Sequence, residues 1–237
     1  MKRIIASLAV LALLSSCTEK TTSKGLVLSG EVEGLNQGKL YFKHIQDTSV
    51  VTLDSIIIKG DSKFEMNLAL TEPEMIYVFL DRGETQSLDN SLSFFAEPGT
   101  MTFKTSLEEF YAQVEVTGSK NQKVLVEFNE MNNKFKNQNL TLIQKNIENQ
   151  IKKDGVLQDS IDKAAEMLKI RQYRFTANFT INKKDFEAAP YITLTQITDI
   201  NTSYLDTIYS SLIPKVKKSK YGVELNRFIN ERKQNEE

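Results

Sequence analysis

The 237 residues carry 30 Lys and Arg against 31 Asp and Glu, a formal net charge of −1, and 40% of them are hydrophobic. That hydrophobic fraction suffices for a packed core, and the charge balance, with no basic stripe interleaved with aromatics, argues against a nucleic-acid partner. One Cys, one His and no Trp exclude a Cys-x-x-Cys redox pair, an internal disulfide and a tetrahedral zinc site built on His and Cys. No EF-hand spacing of acidic residues supports calcium, and no cofactor is expected.

Residues 1–16 have the form of a secretory signal: Lys2 and Arg3, the apolar run 4–14, then Ser15 and Ser16. The run is shorter than the roughly 20 residues that span a bilayer, so it reads as an export signal. Leu14-Ser15-Ser16-Cys17 resembles the bacterial lipobox. The resemblance implies that Cys17 takes a diacylglycerol thioether, becomes the first residue after cleavage and is acylated at its new amino terminus. At about 0.8 kcal/mol per buried methylene, more than one acyl chain makes a stable membrane anchor. Cleavage leaves 221 residues with a net charge near −3, enough for one large or two small domains. Residues 17–25 then read as the lipidated cysteine and a polar tether.

Residues 26–118 show short strands broken by turns. "KFEMNLAL" places Phe64, Met66, Leu68 and Leu70 on one face, and "LVLSGEVEG", "KLYFKHI", "VVTLDSIII", "MIYVFL", "SLSFFAE", "TMTFKT" and "QVEVTG" are similar runs. About eight antiparallel strands at this spacing predict a sandwich or open barrel. Residues 119–237 change period. Val124, Phe128, Met131 and Phe135 recur on a helical face, which continues through Leu140, Ile143, Ile147 and Ile151 after a slip at 137–139. Asp154-Gly155 marks a turn, and Leu157, Ile161, Ala164, Leu168, Phe175 and Phe179 form a second stripe, predicting an antiparallel helical hairpin. Pro190 is expected to open a helix running to about residue 201, and another covers about 203–213 before Pro214 stops it. A last amphipathic helix carries Val223, Leu225, Phe228 and Ile229. Strands first and helices second is the α+β order.

The pieces "LSGEVEGLNQGKLYF", "LDSIIIKGDSKFEM", "EPEMIYVFL", "SFFAEPGTMTF", "VTGSKNQ", "FEAAPYITLTQI" and "SKYGVELNRFI" resemble, in order, the N-terminal domain of unknown function that precedes the thioredoxin-like module in lipid-anchored thiol-disulfide interchange proteins of Gram-negative envelopes. The resemblance implies a non-catalytic β-domain with an attached helical segment. In those relatives the last helix leads into a thioredoxin fold with Trp-Cys-x-x-Cys. Here there is no Trp and no second Cys, so the domain is expected to stand alone and exchange between paired thiols is unavailable.

Other chemistry is thinly supported. His44 has Asp47 and Ser49 nearby, but no Gly-x-Ser-x-Gly elbow accompanies them. Glu108-Glu109 and Glu72/Glu74 read as solvated charge, and "GSKNQK" reads as a turn and helix cap. Asp54-Ser55-Ile56, Asp159-Ser160-Ile161 and Asp206-Thr207-Ile208 resemble the Asp-Ser/Thr-aliphatic acceptor of a bacterial O-glycosylation system, making Ser55, Ser160 and Thr207 candidate acceptors. The expectation is therefore a non-enzymatic outer-membrane lipoprotein facing the periplasm, which binds another envelope protein, a thioredoxin-like one among the candidates. Two alternatives stay open: a redox-inactive member of a thiol-disulfide pathway, and a small-ligand or glycan binder. For a partner or ligand surface, Tyr41, Phe42, Tyr77, Phe94 and Phe95 are the aromatic candidates, with about half facing the core by alternation.

Overall fold

Short extended segments build the first half of the chain. A computed structural model describes residues 25–81, 91–112 and 114–236; residues 1–16, Cys17 and most of the tether lie outside the described residues. Eight strands follow one another: β1 (Leu26–Glu33), β2 (Gln37–Gln46), β3 (Ser49–Lys59), β4 (Lys63–Leu68), β5 (Glu74–Asp81), β6 (Leu92–Ala96), β7 (Gly99–Ser106) and β8 (Glu115–Thr117). In β4, Phe64, Met66 and Leu68 point inward while Lys63, Glu65 and Asn67 face solvent. The strands form two four-stranded sheets, ordered β4-β1-β7-β8 and β3-β2-β5-β6.

The inner faces meet in a phenylalanine core: Phe42 lies 5.9 Å from Phe64, Phe64 lies 6.2 Å from Phe103, and Phe103 lies 5.5 Å from Phe94. Such offset and edge arrangements suit the ring quadrupoles. One feature departs from the expected all-antiparallel sandwich. β1 and β7 run parallel, Leu28 beside Met101 and Gly30 beside Phe103. A parallel pair joins strands remote in sequence and needs no tight turn, so it leaves no local signature.

Six helices follow: α1 (Lys120–Lys152), α2 (Gly155–Asn182), α3 (Ala188–Gln196), α4 (Thr202–Ser211), α5 (Pro214–Lys217) and α6 (Lys220–Glu236). Gly118 turns the chain out of β8 at φ +91°, where a Cβ would stand 2.4 Å from the Thr100 carbonyl oxygen. Ser119 then caps α1, its Oγ accepting from Gln122 N at 2.9 Å. Asp154 caps α2 in the same way. The proline positions differ from expectation: α3 begins at Ala188, two residues before Pro190, and Pro214 opens α5. Both prolines sit in a first helical turn, where a missing N–H costs nothing.

Three apolar clusters result. One fills the sandwich. A second, around Ile197, Leu205, Ile208, Val216 and Leu225, holds α4, α5 and α6 together. The third joins them: Met75 and Phe95, on the outer face of the β5–β6 pair, pack with Val124, Phe128, Ile192 and Tyr221. Polar ties reinforce this seam. Phe95 N donates to Gln122 Oε1 at 2.7 Å, and Asn121 Nδ2 donates to Glu97 Oε1 (3.0 Å) and Glu187 Oε2 (2.9 Å). Among the described residues no buried side-chain polar atom lacks a partner.

The hairpin of α1 and α2 leaves the body. At 1.5 Å per residue α1 is about 50 Å long, and Asn132, which donates to Gln196 Oε1, is its last buried residue before Asn149. The hydrogen bonds of residues 139–167 stay within the hairpin. Leu140, Ile143, Ile147 and Ile151, expected to continue the buried face, are exposed. The helix runs unbroken through 137–139, so the slip in the pattern rotates this stripe off the seam with α2, where Phe135, Leu142 and Asn149 sit instead. No described helix is long and apolar enough to cross a membrane.

Candidate binding cleft at the sandwich–helix junction

β5 begins with Glu74, whose side chain is buried where β2, β5 and the start of α6 converge. A carboxylate can only accept, so His44 on β2 donates Nδ1–H to it, 3.1 and 3.0 Å from the two oxygens. The Lys220 ammonium donates to the same carboxylate and, at 2.6 Å, to the Ile45 carbonyl. The Lys220 backbone N–H donates to Glu72 Oε2 at 2.8 Å. One lysine at the start of α6 thus ties that helix to the β2 end, to β5 and to the loop before β5.

Beside this ionic knot lies a tyrosine cluster. Tyr191 of α3 and Tyr221 of α6 meet edge to face at 5.0 Å, and Phe95 stands 5.7 Å from each beneath them. Tyr221 Oη accepts from Met75 N at 2.9 Å. Burial raises all three phenols, Tyr77, Tyr191 and Tyr221, above their ordinary range; the hydrogen bond with Tyr191 partly offsets this at Tyr77, and the Met75 N–H does so at Tyr221. The rings therefore stay neutral through the physiological range.

Beside them opens a cleft of about 730 Å³, lined by Tyr191, Leu194 and Thr195 of α3, by Val223, Glu224, Arg227 and Phe228 of α6, by Tyr77 of β5, and by Ile45 and Asp47 at and after the end of β2. The size suits a small ligand. It offers ring faces, hydroxyls, carboxylates and cations around a partly enclosed space.

The aromatic candidates separate. Tyr77 lines the cleft and Phe95 supports it from below. Phe42 and Phe94 are fully buried in the sandwich, because β2 and β6 turn those positions toward the opposite sheet, and they offer no ligand surface. Tyr41, one residue from Phe42, faces outward away from the cleft, its hydroxyl 3.4 Å from Asp81 Oδ2 and Lys39 Nζ 4.5 Å above its ring. The contributors from the helical half, Tyr191, Tyr221, Glu224 and Arg227 on helices and Lys218 between α5 and α6, escaped the sequence reading, which sought aromatic groups only in strands. Tyr191 after Pro190 and Tyr221 before Gly222, aromatics at helix starts beside backbone-restricting residues, were the available signal.

Glu72 and Glu74 are not the solvated charge expected from the sequence: Glu74 is buried and both carboxylates are engaged by Lys220, because the start of α6 closes over the loop before β5. Ser55 lies half-buried on β3 with its N–H bonded to Asp54 Oδ1 at 2.7 Å; Ser160 is exposed on α2; Thr207 is exposed on α4, its Oγ1 donating to the Ser203 carbonyl at 2.9 Å. Cys17 falls outside the described residues.

The fold is that of an α+β protein, a β-sandwich with a helical segment docked on one sheet. Residues 26–125 match a family described as "Domain of unknown function (DUF4369)", and that domain takes in all eight strands and the first turn of α1. No curated protein and no solved structure matches the chain significantly.

Proposed function

We propose that this protein is a non-catalytic lipoprotein of the outer membrane, anchored through acylated Cys17, facing the periplasm and serving as a binding or accessory module for another envelope protein. The observation that carries the reading is the projecting hairpin. Leu140, Ile143, Ile147 and Ile151 on α1, with Val156 and Met167 on α2, are exposed, Ile151 and Val156 to 83% each. Uncovered apolar side chains gathered on one projection mark interaction surfaces more often than solvated ones do. A thioredoxin-like envelope protein is the first partner to test, given the resemblance of the β-domain and the lack of paired thiols in this chain. Ser55, Ser160 and Thr207 are proposed acceptors for O-linked sugar, which intact mass of the native protein would reveal beyond lipid and polypeptide.

The test is crosslinking in intact cells, followed by affinity capture through a C-terminal tag and identification of the captured proteins. The reading predicts a stoichiometric envelope protein whose recovery falls when Ile143 and Ile147 are changed to Lys. Cys17→Ser should release the protein from membranes; retention would overturn the anchor. A second reading, small-ligand binding, is favoured by the cleft between α3 and α6.

A further inference from the structure

The cleft's charges come in opposing pairs. Asp47 and Glu224 face it as carboxylates, and Lys218 and Arg227 as cations. Its remaining charged groups, Glu72 and Lys220, are already bound to one another's segment. The lining charges therefore balance, three carboxylates against three cations, with Arg227 also 3.9 Å from Glu231 outside the cleft, and the cleft selects neither a phosphate nor a polycation by field. Its lining is partly apolar, with Tyr77, Tyr191 and Phe228 among the rings. An acyl chain would put hydrocarbon against Asp47, Glu224, Lys218 and Arg227 and offer them no hydrogen bond, which is costly. A peptide that adds a strand needs an open sheet edge, whereas this cleft's two long walls are helices.

We infer that the cleft between α3 and α6 binds an uncharged oligosaccharide. Aromatic rings cover the C–H faces of sugars, while carboxylates accept, and guanidinium and ammonium groups donate to, adjacent hydroxyls; forked groups such as Glu224 and Arg227 match two neighbouring hydroxyls at once. Thr195 on α3 and Thr198 just beyond it add two hydroxyls, that of Thr195 donating to the Tyr191 carbonyl at 3.0 Å and left to accept. The phenols of Tyr77 and Tyr191 are neutral, so they donate as well as accept. The volume, about 730 Å³, admits several sugar rings. This inference rests on the small-ligand reading of the cleft.

The test is calorimetric titration of the full-length acylated protein, held in a detergent without a sugar headgroup, with maltotriose, cellotriose, xylotriose and chitotriose. At least one should bind with one-to-one stoichiometry at millimolar affinity or tighter. Glu224→Ala and Arg227→Ala, both on the solvent side of α6, should each weaken it by about tenfold or more with unchanged circular dichroism. Absence of binding by all four to the folded protein overturns the inference, as does binding that neither substitution weakens. Preference for trigalacturonic acid over every neutral trisaccharide overturns the neutral class. Octanoate or a tripeptide binding in competition with none of the sugars, and lost in the same variants, would overturn the sugar assignment while leaving the small-ligand reading standing.

Discussion

The phenolic oxygen of Tyr221 accepts a hydrogen bond from the Met75 backbone N–H at 2.9 Å, joining the last helix to the fifth strand across 146 positions of sequence. The ring also meets Phe95 and Tyr191 edge to face, so Tyr221→Phe keeps the packing and removes the acceptor alone. A buried N–H left unpaired costs about 1–3 kcal/mol. Urea denaturation of the variant should show that loss; an unchanged midpoint and slope would mean that the N–H finds another acceptor and the bond is not structural.

Glu74 ties His44 and Lys220 together in the same seam. Removing one member of a buried charge cluster costs about 3–5 kcal/mol, whereas replacing both partners by apolar groups of similar size is often neutral. Glu74→Gln should therefore destabilise by about 3 kcal/mol, and Glu74→Leu combined with Lys220→Met should recover most of it. If the double variant is the less stable of the two, the cluster contributes net stability and this reasoning fails.

Alkaline pH should weaken the fold through the tyrosines. Burial raises Tyr77, Tyr191 and Tyr221, so between the ordinary phenol value of about 10 and their raised folded values the native state holds more protons than the unfolded chain. Stability is then whole below about pH 10 and falls as pH rises above it. Ultraviolet titration of phenolate should find these three among the last of the eight tyrosines to ionise. Should all eight titrate together while circular dichroism stays native, the cluster is open to water.

Two glycines make opposite predictions. A Cβ on Gly222 would stand 2.0 Å from the Val216 carbonyl oxygen, where α6 crosses α5, and none of the neighbours is a flexible side-chain end. Gly222→Ala should lower stability by about 1–3 kcal/mol or more. Gly155, opening α2, has nothing within 4 Å of an added Cβ, and Gly155→Ala should be neutral or stabilising by about 0.5 kcal/mol. Thermal melts of the pair decide; equal midpoints would place the α5–α6 contact more loosely than described.

Strand alternation made the sandwich legible: the inward run Phe64, Met66, Leu68 needs only the period of an extended chain. The Ser119 cap was equally local. What stayed hidden depends on remote partners. Nothing near Leu28 announces Met101 alongside it in parallel. Ile143 and Ile147 carry the same apolar signal as Phe128, yet Phe128 meets Phe175 while they meet solvent, because helix periodicity marks a face without saying what covers it. The cleft is assembled from α3 and α6 around a strand residue, Tyr77, and such a meeting of three distant segments has no linear pattern. Tyr77 alone among the aromatic candidates lines it.

Changing exposed Ile143 and Ile147 to Lys should leave stability within about 0.5 kcal/mol per site, since neither is buried. A larger loss would show that the stripe supports the hairpin itself and is not free for a partner.

The most direct test of an envelope partner is photocrosslinking in living cells from a probe at Ile147, compared with one at Glu65, which faces solvent on β4 of the sandwich. The account predicts a discrete adduct with one envelope protein from Ile147 and none from Glu65. No adduct from Ile147 or its exposed neighbours Ile143 and Ile151, with the protein folded and present at normal level, would contradict it.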